Sequence, residues 1–220
     1  MEATVVPRVK VCCISSVEEG WMAIRHGAAA LGLVSAMPSG PGVIEDALIT
    51  RIAGVIPPGV GSFLLSSSQH AEALIAQQRR CRTNTLQLVD AVDIGVYSAL
   101  REALPGIGLV QVIHVVGEES VEEALEVAPH VDALLLDSGN PNLVVKELGG
   151  TGRRHDWGLS RLIREQSDVP IYLAGGLTPD NVREAIETVG PFGLDVCSGV
   201  RTNGALDEGK LDLFTGACRV

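Results

Sequence analysis

The stretch "VPIYLAGGLTPDNVREAIETVGPFGLDVC", residues 169–197, decides the fold class of this chain. A continuous apolar run leads into a Gly-Gly turn, then into a segment with apolar residues at helical spacing, and then into a second apolar run. Continuous apolar runs are typical of parallel strands that are buried on both faces, and a helical segment between two of them is typical of a crossover unit. The stretch therefore predicts two parallel strands joined by a helix.

This strand–helix unit recurs along the whole chain. Strands are predicted over residues 9–14, 30–34, 59–65, 85–88, 108–115, 131–137, 169–174 and 193–197. Helices are predicted over residues 17–26, 43–53, 69–80, 94–103, 120–127, 156–167, 179–189 and 206–214. Eight such units, each about 27 residues long, close most simply into one (β/α)8 TIM barrel domain over residues 1–220. An open doubly wound sheet is the alternative, but it usually has fewer strands, and no GxGxxG motif follows the first strand here.

Composition limits the classes of function. Hydrophobic residues make up 46% of the chain and aromatic residues only 3%, so the core consists mainly of Ala, Val, Leu and Ile. The formal net charge of −10 argues against general binding to nucleic acid or to a membrane surface, while a local basic pocket for one anion remains compatible with it. The long uncharged stretch at residues 52–71 contains two prolines and a run of three consecutive serines, which argues against a membrane span.

The cysteines indicate the compartment. Five cysteines at irregular spacing, with no recognisable signal peptide, predict a reducing cytoplasmic environment. No CxxC pair or Cys/His cluster has the spacing of metal ligands, so we expect no metal site.

The first predicted strand ends in the motif "VKVCCIS", residues 9–15. Side chains alternate along a strand, so Lys10, Cys12 and Ile14 are expected on one face and Cys13 on the other. A lysine belongs in a polar barrel interior rather than beneath apolar helices. Cys12 is therefore predicted to face the barrel axis as a reactive candidate, and Cys13 to face the helices as packing.

Three further strand ends carry candidate site residues. Asp137 ends strand six in "LLLDS", where it is either a turn or cap residue or a general acid whose pKa is raised by apolar surroundings. Strands seven and eight end in Gly175–Gly176 and Ser198–Gly199, and barrels often bind phosphate at these two loops through backbone N–H groups. We therefore predict a phosphate site there, although two unrelated tight turns would look similar.

Other residues have two interpretations each. Gln87, at the end of strand four, is either a ligand-binding residue or part of the barrel lining. His114, on strand five, is either catalytic or a core histidine, and we favour the core histidine. Residues 147–157, "ELGGTGRRHDW", form a glycine-rich loop long enough to be a lid. Ser16 with Glu19 predicts a capping box, and Thr178 with Pro179 predicts a helix start.

Taken in order, these motifs resemble those of the phosphoribosylanthranilate isomerase family, which are tryptophan-biosynthetic barrels. "VKVCCIS" is similar to the family's VKICGIT, "GAAALGLV" to GADALGFVF, and "LQLVD" to VQLHG. The later motifs match in order and spacing, and they are "LLLDS", "GGTGRRHDW", "LAGGLTPDNV" and "DVCSGV". The resemblance runs nearly end to end.

The resemblance implies an Amadori rearrangement of an aminoaldose phosphate to an aminoketose, with no metal or organic cofactor. By the same resemblance Cys12 is the general base and Asp137 the general acid. The residues implied to bind the phosphate are Gly175, Gly176, Ser198 and Gly199.

Two departures from the family pattern affect the substrate. Cys13 stands where the family has glycine, and Pro41 stands where its SPR motif has an arginine that binds the anthranilate carboxylate. Arg153 and Arg154 are candidates to replace that arginine. Because of these departures, two alternative functions remain open. In these alternatives the chain is either an isomerase for another phosphorylated sugar or a non-catalytic barrel that binds a phosphorylated metabolite or a protein partner. The expected partner is a small phosphorylated substrate, and the chain is expected to be a monomer or a homodimer.

Overall fold

The computed structural model describes residues 6–139, 148 and 152–219. Eight parallel strands form a closed barrel in sequence order. The strands are β1 (Arg8–Val11), β2 (Ala30–Val34), β3 (Gly61–Ser66), β4 (Thr85–Leu88), β5 (Gly108–His114), β6 (Ala133–Asp137), β7 (Ile171–Leu173) and β8 (Gly193–Val196). The helices are α1 (Val17–Arg25), α2 (Asp46–Ala53), α3 (Ala71–Cys81), α4 (Ile94–Ala103), α5 (Glu119–Val127), α6 (Trp157–Gln166), α7 (Val182–Val189) and α8 (Glu208–Ala217).

Closure of the barrel joins the two ends of the chain. Strand β1 pairs with β2 on one side and with β8 on the other, with Arg8 opposite Gly193 and Val11 opposite Val196. Each strand therefore has two neighbours, and no edge remains open. This confirms the predicted (β/α)8 TIM barrel.

The core has two layers, and the layer inside the barrel bears on function. The outer layer lies between the strands and the helices, and consists of aliphatic side chains such as Leu31, Leu64 and Leu134. The inner layer lies inside the barrel and includes Phe63, Leu135 and Tyr172. Because strand residues alternate between these layers, each strand contributes both to the core and to the lining of the barrel mouth.

Most predicted elements differ from the observed ones by one to three residues at an end, and two of these errors lie beside the predicted site. Strand β1 ends at Val11 rather than at residue 14, so Cys12 and Cys13 belong to the loop after it. Helix α7 begins at Val182 with Asn181 as its N-cap, not at Pro179. Thr178 lies in a turn in which its N–H donates to Asn181 Oδ1, at 2.9 Å, and its carbonyl accepts from the Val182 N–H.

The capping interaction predicted at α1 is present in part. Ser16 Oγ accepts from the Glu19 N–H at 3.1 Å, as in a capping box. The Glu19 carboxylate reaches the Ser15 N–H instead of the N-cap N–H, and it also pairs with Arg201 at 2.9 Å. Arg201 lies in a short hairpin of β9 (Arg201–Thr202) and β10 (Ala205–Leu206), which the sequence pattern did not predict.

None of the helices in the described part of the chain combines the length and the apolar composition needed to span a bilayer.

Candidate active site

A cavity opens at the carboxyl ends of the barrel strands. This is the face at which TIM barrels perform chemistry, because the strand-to-helix loops converge there. Six of the seven predicted site residues line it, namely Cys12, Gln87, Asp137, Gly175, Gly176 and Ser198. The seventh, Gly199, follows Ser198 in a 3-10 turn over Ser198–Val200.

A buried ion pair lies next to the cavity, since one of its members, Asp195, lines it. Lys10 is fully buried, and its Nζ lies 2.9 Å from Asp195 Oδ1 on the neighbouring strand. Burial lowers the pKa of Lys10, but the attraction of Asp195 outweighs it, so the pKa is raised and the lysine stays charged. The prediction that Lys10 faces the barrel interior agrees with this position. Cys12, directly after β1, also belongs to the inner layer of the barrel.

The predicted orientation of Cys13 and Ile14 is wrong. Cys13 lines the cavity beside Cys12, while Ile14 packs in the outer layer against the helices. The reason is the backbone of Cys13, whose φ of +62° ends the alternation of the strand and returns the side chain to the barrel mouth. Glycine adopts this conformation without strain, which accounts physically for a glycine at this position in related motifs.

Asp137 ends β6 as a buried carboxyl group. It is 9% exposed, and its Oδ1 accepts from the Ser138 N–H at 2.7 Å. Its partner in the register is His114 on β5. Burial raises the pKa of Asp137, against the opposing effects of the Ser138 N–H and of nearby His114. A carboxyl group with a raised pKa at a cavity wall is suited to donate a proton.

His114 itself has a structural contact. Its Nε2 lies 3.0 Å from the Val89 carbonyl oxygen and the ring is buried, which agrees with the interpretation as a core histidine. Gln87 is also buried at the cavity, and its Oε1 has no hydrogen-bond partner within the described residues. An unpaired amide oxygen at the wall of a cavity is a candidate contact for a polar ligand.

The loops after the adjacent strands β7 and β8 lie side by side at the cavity. Gly175 and Gly176 both have positive φ, +83° and +63°, so a side chain at either position would be strained. At Gly199 even a Cβ would overlap the Leu177 carbonyl, so the two loops are in direct contact. Asn181 fixes the first loop, because its Nδ2 donates to the Gly176 carbonyl at 2.9 Å.

Across the described parts of the chain, no backbone carbonyl accepts from the N–H groups of Gly175, Gly176, Ser198 or Gly199. Backbone N–H groups that converge without acceptors form an anion-binding arrangement. Both loops are therefore candidates to bind an anion, and a 3-10 turn rather than a full helix follows Cys197.

The opposite side of the cavity is less polar. Met37, Ser39, Gly40 and Pro41, after β2, form this side together with Leu148. The Leu148 N–H donates to Ser39 Oγ at 3.4 Å. Within the described ranges, no lysine or arginine lines the cavity.

The two arginines considered as replacements have different settings. Arg154 makes two hydrogen bonds to Glu184 on α7, at 2.7 and 3.2 Å, and its guanidinium lies 3.4 Å from the centre of the Trp157 ring. Arg154 is therefore held at the surface of α7. Arg153 does not line the cavity. Residues 147 and 149–151 of the predicted lid lie outside the described residues.

The sequence reasoning missed three residues at this site. Asp195, Cys197 and Arg201 all lie on or after β8, and each contacts the end of β1. Arg201 Nη2 donates to the Cys13 carbonyl at 2.6 Å, and Cys197 Sγ lies 2.7 Å from Cys13 Sγ. The alternation of side chains along a strand could have placed Asp195 and Cys197 on the same face of β8. The local sequence gives no sign, however, of contacts with residues about 185 positions earlier in the chain.

Comparison with known proteins identifies the family. The family model described as N-(5'-phosphoribosyl)anthranilate isomerase matches residues 9–217. The chain belongs to this family. Isomerase 2 of that name from Methanosarcina mazei is 34% identical over 209 residues, which cover 94% of this chain and 92% of that protein.

Solved structures of the same family have the same fold. The phosphoribosylanthranilate isomerase of Thermotoga maritima is 29% identical, with a TM-score of 0.82 over 97% of this chain and 98% of its own. Another is 27% identical, with a TM-score of 0.79 and the same coverage, and was solved in complex with reduced 1-(o-carboxyphenylamino)-1-deoxyribulose 5-phosphate. The family assignment agrees with the resemblance found in the sequence motifs.

Proposed function

We propose that this chain converts N-(5'-phosphoribosyl)anthranilate to 1-(o-carboxyphenylamino)-1-deoxyribulose 5-phosphate, with Asp137 as general acid and Cys12 as general base. One observation carries the proposal. Cys12 and Asp137 line one cavity together with Gly175, Gly176 and Ser198. An acid, a base and an anion-binding arrangement at one cavity are what the isomerisation of a phosphorylated sugar requires.

Asp137 would perform the first proton transfer. Its carboxyl group donates a proton to the ring oxygen of the furanose, the bond from C1′ to that oxygen breaks, and the amine nitrogen forms a Schiff base with C1′. The burial that raises the pKa of Asp137 supports this role, because a protonated carboxyl group must be available near neutral pH.

Cys12 would perform the second proton transfer. Its thiolate removes the proton from C2′, the electron pair neutralises the Schiff base, and the resulting enolamine tautomerises to the ketone. Lys10 lies close to Cys12, since a Cβ on Gly32 would contact both Cys12 Sγ and Lys10 Nζ. The Lys10 ammonium group therefore lies beside the proposed base.

The phosphate would bind between the two glycine loops. Gly175 and Gly176 would contribute N–H groups from one loop, and Ser198 and Gly199 from the other. The relative solved with a phosphorylated product analogue supports a ligand of this kind. Gln87 would contact the sugar or the amine through its buried amide.

A second candidate function is the same rearrangement with a different amine. It is favoured by the absence of lysine and arginine from the described lining, and by Pro41 where the family pattern has arginine. The apolar side chains of Met37 and Leu148 at this end would suit an aromatic amine that lacks a carboxylate.

The test is a steady-state assay of the purified full chain, with N-(5'-phosphoribosyl)anthranilate generated in situ and its fluorescence followed. We expect turnover, and rescue of a tryptophan auxotroph that lacks this isomerase. The double variant Cys12→Ser, Asp137→Asn serves as the matched control in both experiments. A folded protein that neither turns over the substrate nor rescues growth would contradict the proposal.

A further inference from the structure

Two thiols that the proposed mechanism does not use meet at the rim of the active-site cavity. Cys13 and Cys197 are both unbridged, and their Sγ atoms lie 2.7 Å apart. Both line the cavity. Of the remaining cysteines outside the mechanism, Cys81 and Cys218 pack in the outer layer, away from the barrel mouth.

The fold brings these two thiols together in a specific way. The Cys12 N–H donates to the Val196 carbonyl at 2.8 Å, which continues the pairing of β1 with β8 beyond the end of β1. The positive φ of Cys13 then turns its side chain towards Cys197 instead of towards the helices. A disulfide bond is about 2.05 Å long, so the two sulfur atoms need only a small displacement to bond.

We propose that Cys13 and Cys197 are a redox modification site, which a small-molecule disulfide oxidises to an intramolecular disulfide that reversibly inactivates the protein. In a reducing compartment the pair is a dithiol, and the active site is open. The loss of activity rests on the proposed function, whereas formation of the disulfide does not.

Cys197 is the thiol that reacts first. It is the more exposed of the two, and hydrogen bonding with Cys13 lowers its pKa, as does the Arg201 guanidinium nearby. Cys13 holds its proton more tightly, because its contacts with the Cys12 and Cys197 thiols and its burial raise its pKa. One thiol of the pair is thus prepared to attack, and the other to resolve.

The reaction balances through two exchanges. The Cys197 thiolate attacks one sulfur of the small-molecule disulfide, whose S–S bond breaks to release one thiolate. Cys13 then gives up its proton and attacks Cys197 Sγ, and the second small thiolate leaves. The two cysteines lose two electrons and the oxidant gains them, ending as two small thiols.

The position of the disulfide explains the inactivation. Cys13 follows the proposed base Cys12, and Cys197 precedes Ser198 of the proposed phosphate site. Drawing the two sulfur atoms together shifts both of these neighbours, and displacements of about 1 Å in an active site can reduce turnover by about 10²-fold. A bond here also links the ends of β1 and β8.

The experiment incubates the full chain in glutathione buffers of increasing oxidised fraction. Free thiols are then alkylated, and the non-reduced tryptic peptides are sequenced by tandem mass spectrometry. We expect a Cys13–Cys197 cross-link with Cys12 alkylated, a fall in turnover of at least about tenfold, and recovery with dithiothreitol.

The variants separate this disulfide from direct oxidation of Cys12. Cys13→Gly should keep its turnover in the oxidising buffer and form no cross-link, and Cys81→Ala should behave like the wild type. Equal inactivation of Cys13→Gly, a cross-link that uses Cys12, or no cross-link at all would each overturn the proposal. A mapped Cys13–Cys197 cross-link in a protein without isomerase turnover would support the redox site and count against the proposed function.

Discussion

Lys10 and Asp195 form a buried ion pair between the first and the last strand of the barrel. Lys10 Nζ lies 2.9 Å from Asp195 Oδ1, and 5.3 Å from the centre of the Phe63 ring. The lysine side chain has no exposed surface, and that of the aspartate is 9% exposed. The pair therefore places two buried charges that depend on each other between β1 and β8.

Removing one charge of this pair should destabilise the fold. Lys10→Met keeps the volume but leaves Asp195 buried without its partner, so we expect the free energy of unfolding to fall by about 3–5 kcal/mol. Urea denaturation measures the change. The control is Arg101→Met, which removes an exposed ion pair with Asp132 and should cost about 0–1 kcal/mol. Equal effects of the two substitutions would contradict the prediction.

The proposed acid and base should each be needed for turnover. Cys12→Ser replaces a thiol with a much weaker acid, and Asp137→Asn cannot deliver a proton. Each should reduce kcat by roughly 10²–10⁴, with little change in affinity for the reduced product analogue. Steady-state kinetics and analogue binding separate the two effects, and Cys81→Ser controls for loss of a buried thiol. Full activity in either site variant would exclude its assigned role.

The contact between the two glycine loops should be sensitive to one methyl group. In Gly199→Ala the Cβ would overlap the Leu177 carbonyl, so the loops must separate. We expect KM to rise by about tenfold or more, and competitive inhibition by inorganic phosphate to weaken equally. Gly216→Ala on α8 meets no atom within 4 Å and should add about 0.5–1 kcal/mol of stability with unchanged KM. Unchanged phosphate inhibition in Gly199→Ala would place the anion elsewhere.

The stability of the protein should depend on pH through His26. This residue caps the end of α1, and its ring nitrogens contact Asp212 and Glu208 of α8. Hydrogen bonds to Asp212 and then Glu208 raise the pKa of His26. The stabilisation is therefore complete below the ordinary histidine pKa of about 6.5, and is lost as the pH rises through the raised value in the folded state.

Thermal unfolding of the wild type and of His26→Gln tests this between about pH 5.5 and pH 9. The stability advantage of the wild type should be largest at the acidic end and should shrink as the pH rises. An advantage that stays constant, or that grows with pH, would show that the imidazolium does not link the two helices.

The enzyme should discriminate less strictly between amine groups of the substrate than it would with an arginine in the cavity. A bidentate arginine–carboxylate contact is worth about 1.5–3 kcal/mol, or roughly 10–100-fold in kcat/KM. Because no lysine or arginine belongs to the described lining, we expect the substrate made from aniline to be used within about tenfold of that made from anthranilate. Arg154→Ala should leave this ratio unchanged, since Arg154 binds Glu184. A preference for anthranilate above 100-fold that disappears in Arg154→Ala would contradict both statements.

The sequence predicted the barrel because its signals are local and repeated. An apolar run such as residues 131–137 and the helix after it can each be recognised from their own pattern of apolar residues, without knowledge of distant contacts. Eight such units in a row imply a closed barrel. The candidate site followed from the same reasoning, since Asp137 and the glycine turns end their strands. The prediction failed where the orientation of a side chain depends on one dihedral angle. At Cys13 a positive φ turns the side chain to the face opposite to the one that strand alternation predicts.

Contacts between distant parts of the chain could not be predicted. Asp195 was not recognised as the partner of Lys10, and Arg201 was not recognised as a contact of Cys13, because 185 and 188 positions separate them. The error at Thr178 has another cause. Its side chain and the following proline suit a helix start, but Asn181 competes by accepting the Thr178 N–H and becomes the cap itself.

The pairing of β1 with β8 also determines the order in which the protein can mature on the ribosome. Residues 8–11 find their second neighbour only when residues 193–196 have been synthesised, so the first strand keeps an unpaired edge for most of translation. Such an edge is open to pairing with another nascent chain, and the final closure spans nearly the full length of the polypeptide, which makes it slow. A protein truncated before β8 should therefore be captured by chaperones or aggregate rather than fold into a seven-stranded remnant.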